Sequence, residues 1–513
     1  MKGSMQMNQQ LTYKNEIEQF AFEELKRFYT GKTPVIFEYF DIPKNGIEFE
    51  ITQTKESYVL RGNTPRSLLY GVYKFIEKVE GIVFFDLRQP QKIGAHGISS
   101  TYEGTPKFAR RGNVFETIED IPFLKSMLDV GTKNGLNEAF FTFFLWDEVK
   151  EALLPEIKKR GIDVTLGGHS LRYLVAKANG VTVSGKSAAD GAVNDLIGEE
   201  TEFTAANAIK NHDFLQDEKA QQAVIQIIVS YCKTEPVIRR ISLWPEDVGA
   251  KGEDAKLFLT QYIAFTEKLQ QALATANLQV EVEHIVYNAG LSWEMLERKE
   301  HQVSSANVLY AYWGRNYAQS FKSQRDQRAW DSLLDWRKAT NKQVTIFEYY
   351  SDHFMLSELF PLLFNRIKTD TERYKEIGCE GMVNLVVPLH KVAKAQPHME
   401  QYDYQQFQQL NNIVFARSLW EGVETVPHLL SSSMQELAAK IEALFAQNSQ
   451  FNASFFPNRV VEAKNSNSKT EVLDLLNAME QLLQQEQIEE PLQKYVEALQ
   501  QVVNATKLRW EAL

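Results

Sequence analysis

The pattern of apolar and polar positions changes character twice along the chain. In the first hundred residues, helical and strand periods alternate. A helical stripe over 14–28 (NEIEQFAFEELKRFY) precedes strand-like runs at 34–38, 47–51 and 57–60. Residues 65–80 (PRSLLYGVYKFIEKVE) then set Leu68, Leu69, Val72, Tyr73, Ile76 and Val79 on one helical stripe. This predicts a small α/β domain over 1–100, ending near Leu87, with the turn-rich stretch Gln89–Thr105 as a linker.

From Arg110 the rhythm is regular. Short apolar runs at 111–115, 137–144, 161–166, 237–243, 280–287, 307–312, 343–349 and 381–387 are separated by helical patterns such as 255–276. Strands alternating with helices build parallel βαβ units, and eight such units predict a (β/α)8 TIM barrel over 106–400. The long Gly/Ala-rich gap 167–236 reads as a loop over the top of the barrel, a lid or an insertion. After Val392 the strand signal ends. Helical patterns at 403–420, 433–447, 469–486 and 491–511, rich in Gln, Leu and Glu, predict a helical C-terminal domain over 401–513.

Composition narrows the function. A chain with 44% hydrophobic and 24% charged residues is ordinary globular material. A formal net charge of −11 argues against a nucleic-acid partner or an anionic membrane surface. Two cysteines, Cys232 and Cys379, build neither a disulfide framework nor a cysteine metal site. The nine histidines show no HxH or HExxH spacing, so no metal is expected. The absence of GxxxxGK[ST], strand-linked GxGxxG and GxSxG motifs leaves no sign of a nucleotide cofactor or a serine hydrolase. The longest apolar runs, such as 139–146, fall short of the ~20 residues that span a bilayer. The N-terminus lacks the apolar core of a signal peptide, so a cytoplasmic location is the expectation.

A barrel carries its active site at the C-terminal ends of its strands, so the residues just past each run are the candidates. Run three ends in Gly167-Gly168-His169-Ser170, where glycines permit close backbone approach and His169 is either a ligand or a local cap. Run four ends in Trp244-Pro245-Glu246-Asp247. Two carboxylates beside an indole suit the proton donor of glycosidic cleavage, although Asp247 as a helix N-cap with Glu246 exposed is the plainer reading. Run five ends at Asn288, a rim candidate. Run six leads into Tyr310, Tyr312, Trp313, Gly314, Arg315, Asn316 and Tyr317, aromatic faces for sugar rings and polar groups for hydroxyls or a carboxylate. Run seven ends in Glu348-Tyr349-Tyr350-Ser351-Asp352-His353. Ile346, Glu348 and Tyr350 share a face, and a buried glutamate is costly unless it is used or paired. His390 follows run eight.

The segment YVLRGNTPRSLLYGVYKFIEKVEGIVFFD resembles the N-terminal domain that precedes the barrels of family twenty β-hexosaminidases and family sixty-seven α-glucuronidases. GGHSLRYL at 167–174, LWPED at 243–247, EYYSDHF at 348–354 and LNNIVFARSLWEG at 410–422 are similar to a bacterial glycoside-hydrolase-like family known by a domain of unknown function. That resemblance spans about 55–425 and implies a carbohydrate-active barrel, with Asp247, Glu348 and His169 at the matching site positions. The order Glu246-Asp247 departs from the Asp-Glu pair of the hexosaminidases, so the resemblance carries over no substrate.

The resulting expectation is a glycosidase that cleaves an oligosaccharide with two carboxylates. Asp247 is the acid, with Glu246 in reserve, and Glu348 is the base or nucleophile. His169, Asn288, Arg315, Asn316, Asp352 and His390 are polar substrate contacts. Trp244, Tyr312, Trp313 and Tyr350 are aromatic ones. The alternative is a non-catalytic carbohydrate-binding barrel. The C-terminal helices are the expected surface for a homo-oligomer.

Overall fold

The computed structural model describes residues 15–85, 89–116, 118–180, 214–245, 253–288, 293–299, 304–315, 317, 321, 324–352, 362–387, 404–423, 432–446, 469–485 and 493–512. The chain opens with α1 (Glu16–Phe28), whose N-cap Asn15 accepts from the N–H groups of Ile17 and Glu18. Strands β1 (Val35–Tyr39), β2 (Phe49–Gln53) and β3 (Tyr58–Gly62) follow. Helix α2 (Pro65–Phe75) starts on a Thr64 cap with proline in its first turn, where a missing N–H costs nothing. Two short strands, β4 (Ile82–Val83) and β5 (Gln91–Lys92), pair with each other.

The segment expected to be a linker contains a further strand, β6 (Thr101–Gly104), which pairs antiparallel with β2. The small sheet therefore has four strands in the order β1-β3-β2-β6. Four residues ending in glycine, between Ser99-Ser100 and Thr105-Pro106, carry too little periodicity to announce a strand. The partner β2 supplies the stability.

The eight apolar runs are the eight strands of a closed, all-parallel barrel. They are β7 (Arg110–Phe115), β8 (Glu138–Thr142), β9 (Asp163–Gly168), β10 (Ile238–Leu243), β11 (Glu281–Tyr287), β12 (Asn307–Ala311), β13 (Val344–Asp352) and β14 (Gly381–Val387). Between them run α3 (Ile121–Lys133), α4 (Phe143–Arg160), α5 (Leu171–Ala178), α6 (Glu218–Thr234), α7 (Glu253–Thr275), α8 (Gln324–Ala339) and α9 (Phe364–Glu376). Both ends of the gap read as a single loop are thus helical, as α5 and α6; residues 181–213 lie outside the described residues.

Helix α10 (Tyr404–Ser418) packs on β13, β14 and α3, so it is the barrel's last covering helix rather than the start of a separate helical unit. Beyond it lie α11 (Ser432–Ala446), α12 (Lys469–Gln485) and α13 (Gln493–Ala512). Among the described residues, no helix is long and apolar enough to cross a membrane.

The barrel interior is layered by charge. Near the N-terminal ends of the strands, Glu138 accepts from Arg110 at 2.8 Å, from Thr165 at 2.9 Å and from Arg240 at 2.5 Å, and Arg110 reaches Glu283 across the barrel at 2.6 Å. All five side chains are buried. Toward the C-terminal ends the filling is aromatic. Phe140, Trp244 and Phe347 meet at centroid distances of 5.1 and 5.3 Å. One end is therefore closed by mutually neutralised charges, and the opposite mouth is the end available to a ligand.

Candidate functional site

Period-two alternation decides which strand residues look into the mouth. On β10, Arg240, Ser242 and then Trp244 follow the inner face. Trp244 is buried, donates from Nε1 to Ser242 Oγ at 3.0 Å, and forms part of the floor of the mouth. His169, half-buried, packs edge-on against that indole with centroids 5.3 Å apart. Its Nδ1 lies 2.8 Å from the carbonyl of Pro245, which also accepts from Tyr287 at 3.3 Å. A carbonyl only accepts, so Nδ1 carries the proton. These two side chains fix the peptide that leads directly to Glu246 and Asp247, which lie outside the described residues, as do Asn316 and His390.

The two glycines before His169 have separate reasons. A Cβ on Gly167 would sit 1.7 Å from the Ser242 carbonyl oxygen, and Gly168 has φ +63°. A Cβ on Gly168 would come within 2.8 Å of Thr142 Cγ2 and 3.7 Å of Glu116 Oε1. Glu116, the residue just past β7, therefore brings a carboxylate to this corner of the mouth. Its backbone carbonyl accepts from the Thr142 hydroxyl at 2.7 Å.

On β13 the alternation does not run straight through. Glu348 stands opposite Asn384 and Ser351 opposite Val386, so Tyr349 and Tyr350 together face the single residue Leu385. This β-bulge inverts the facing of everything after it. Before the bulge, Phe347 points inward and Glu348 outward. After it, Ser351 lies outward and hydrogen-bonds Asn384 at 3.0 Å, while Asp352, opposite Val387, lies on the inner face at the mouth.

Glu348 is consequently not a mouth residue. It is buried between the barrel wall and α9, 3% exposed, with Arg315 at 2.7 Å and the hydroxyls of Tyr317 and Tyr374 each donating at 2.5 Å. Arg315 reaches Asp370 of α9 at 2.7 Å with its other terminal nitrogen, and Tyr350 donates to the same Asp370 carboxylate at 3.1 Å. Burial raises the Glu348 carboxyl above its ordinary range; Arg315 opposes this and Asp370 adds to it, since one guanidinium serves two buried carboxylates. The free volume beside the cluster is about 10 Å3, no more than one water molecule needs.

Three other candidates move with it. Arg315 is consumed by this network. Tyr350 is fully buried against Asp370, and Tyr312 spends its hydroxyl on Asp326 of α8 at 2.8 Å. None of the three presents a face to the mouth. Asn288 is also engaged by the protein: its amide accepts from the N–H of Trp313 at 2.8 Å and donates to the Trp313 carbonyl at 2.7 Å. Trp313 itself, half-buried, continues the inner alternation of Leu309 and Ala311. The structure thus brings Glu116, His169, Trp244, Trp313 and Asp352 to one end of the barrel and sets Glu348, Arg315, Tyr312 and Tyr350 outside its wall.

No family model matches the chain, and no curated protein does. Solved structures do. A GH138 enzyme targeting the pectin rhamnogalacturonan II matches with a TM-score of 0.57 at 11% identity, over 96% of this chain and 67% of that one. The chain shares the fold of that enzyme. A family GH115 4-O-methyl-α-glucuronidase with specificity for decorated arabinogalactans matches with a TM-score of 0.57 at 12% identity, over 97% and 71% of the two chains. The Streptomyces plicatus N-acetyl-β-hexosaminidase in complex with thio-NAglucal gives 0.50 at 12% identity, over 84% and 89%. These likenesses are of fold.

Sequence reasoning passed over Glu116, Asp370 and Tyr374. The first was within reach, because it is the residue just past run one and the same rule selects it. Asp370 and Tyr374 sit on an amphipathic helix among other charges, and nothing local separates them from surface residues.

Proposed function

We propose that this chain is a glycoside hydrolase whose active site is the C-terminal mouth of the barrel. The observation that carries this reading is that Glu116, Asp352 and His169 stand at the same end of the barrel, which has Trp244 in its floor, beside the peptide leading to Glu246-Asp247. Proteins of the same fold include an enzyme targeting a pectin, a glucuronidase and a hexosaminidase, which favours a glycan as the substrate.

Cleaving a glycosidic bond requires a proton on the leaving oxygen and a carboxylate for the oxocarbenium-like carbon. The acid of this proposal is Asp247, with Glu246 in reserve; their carbonyl neighbour Pro245 is braced by His169 and Tyr287. The second carboxylate is Asp352 rather than Glu348, with Glu116 as its neighbour on the other side of β14. Trp313 supplies an apolar wall for the sugar ring. The separation of the two working carboxyls sets the outcome, about 5–5.5 Å for retention and about 6.5–9.5 Å for inversion.

The test is turnover of a panel of aryl glycosides by the wild type and by D352N, D247N and E348Q. D352N and D247N are each expected to lower kcat by about a thousandfold or more with unchanged thermal unfolding, a loss on the scale of general acid–base and nucleophilic catalysis. Glycan binding by the wild type without turnover of any panel member would reject hydrolysis in favour of a carbohydrate-binding barrel.

A further inference from the structure

We propose that the buried set Glu348, Arg315 and Asp370, outside the barrel wall, is the positioning device of the mouth, aiming Asp352 and Trp313 without touching substrate. This rests on the reading of the mouth as a glycoside-hydrolase site. The bulge at Tyr349–Tyr350 takes two backbone N–H groups out of the regular ladder, and both are capped by side chains. Tyr349 N–H donates to the Tyr317 hydroxyl at 3.1 Å, and Tyr350 N–H donates to Asn384 Oδ1 at 2.8 Å. The Tyr317 hydroxyl in turn donates to Glu348 at 2.5 Å. A hydroxyl has one proton to give, so the carboxylate of Glu348 orients the Tyr317 lone pair toward the Tyr349 N–H. The bulge that turns Asp352 inward is thereby tied to Glu348.

The same carboxylate anchors the turn after β12. Along that turn alternate residues are pinned: Trp313 by the Asn288 amide through both of its backbone polar groups, Arg315 by Glu348 and Asp370, and Tyr317 by Glu348 through its hydroxyl and by Arg366 Nε on its carbonyl at 3.1 Å. Gly314, with φ +84°, makes the bend between the first two pins. Two mouth residues on neighbouring strands are thus each tied, through Tyr317 and Arg315, to one buried carboxylate, a use for an expensive charge on the outer face of the wall.

The experiment is a double-mutant cycle on the full-length chain with an aryl glycoside that the wild type hydrolyses. Y317F removes one hydroxyl and keeps the ring. It is expected to lower kcat about tenfold or more, to shift the acidic limb of the pH profile of kcat/KM, and to have no further effect in a D352N background. Multiplicative losses in Y317F and D352N, or an unaltered pH profile in Y317F, overturn the link to Asp352. A second arm needs no turnover: with 5-fluorotryptophan incorporated and the Trp313 19F resonance assigned by W313F, R315K is expected to shift or broaden that resonance. An unchanged Trp313 signal in folded R315K overturns the link to the turn. If R315K does not fold, E348Q is read in the same way. Failure of the wild type to hydrolyse any glycoside counts against the functional reading alone, and the 19F arm still decides the positioning device.

Discussion

A glutamate placed between a barrel wall and its covering helix costs free energy unless every oxygen is answered. Glu348 is answered by one guanidinium and two phenols, and Arg315 by two carboxylates. Breaking such a set by removing one member is worse than replacing it whole, because the charges left behind remain buried. R315M is therefore expected to lower the unfolding free energy by about 3–5 kcal/mol, measured by urea titration, whereas E348Q keeps hydrogen-bonding capacity and loses less. His284 poses the opposite case. It is fully buried on the outer face of β11, with its ring 5.6 Å from that of Trp336, and burial lowers its pKa to about 3. The unfolded chain binds that proton near pH 6.5 and the folded chain does not. Stability attributable to His284 is therefore present above about 6.5 and falls as pH drops toward 3, by at most about 1.4 kcal/mol per pH unit. H284L is expected to flatten this acidic limb in denaturation curves taken between pH 7 and 4; an unchanged slope counts against a neutral buried imidazole.

The elements that shape the mouth depend on two backbone departures. The first is the left-handed Gly168, which lets the chain turn from β9 toward His169 while passing Thr142. G168A is expected to cost about 1–2 kcal/mol from the conformation alone, with more from the contact to Thr142, and to disturb the His169–Pro245 hydrogen bond. The readouts are thermal unfolding and the 15N shift of His169 Nδ1. The second departure is the bulge in β13. The period-two reading of 343–349 is correct as far as Glu348, and the face it assigns to Ile346, Glu348 and Tyr350 is a real one, but it is the outer face. Past the bulge the parity reverses, so Asp352 and not Glu348 arrives at the mouth.

At the scale of the whole molecule, the last barrel helix α10 also joins the barrel to the small sheet. Just beyond it, Trp420 packs against Tyr70 and Phe49, lies under the buried guanidinium of Arg111 at 4.6 Å, and sits close to Gly135, whose φ of +91° and crowded Cβ position leave room for the indole. Arg417 pairs with Glu77 of the small domain at 3.1 Å. A chain ending at residue 403 would lack α10 and expose the outer faces of β13 and β14. It is expected not to fold cooperatively, whereas a chain ending at Val423 keeps the barrel closed and unfolds at a lower temperature than the full chain. W420A is expected to cost about 3–5 kcal/mol, the range for deleting a buried aromatic, and to loosen the small domain, detected as faster amide exchange in β2 and α2. Equal exchange in both would contradict the role of Trp420 as the joint.

What the amino-acid order determined alone is the succession of elements. The alternation of short apolar runs with amphipathic stretches is local, it repeats eight times, and each run became a strand of the barrel because parallel strands buried on both faces need continuous apolar residues. The caps at Asn15 and Thr64 are equally local. What only the tertiary structure decided is facing and partnership. Whether Glu348 or Asp352 looks into the mouth turns on one extra residue in β13, and that bulge is held by Tyr317 and Asn384, more than thirty residues away in opposite directions. Arg315 and Asn288 read as sugar ligands in a list of polar residues; folding gave them protein partners first. A period of two residues makes side-chain direction sensitive to a single insertion, and charges choose partners by distance in space, so neither was available from order along the chain.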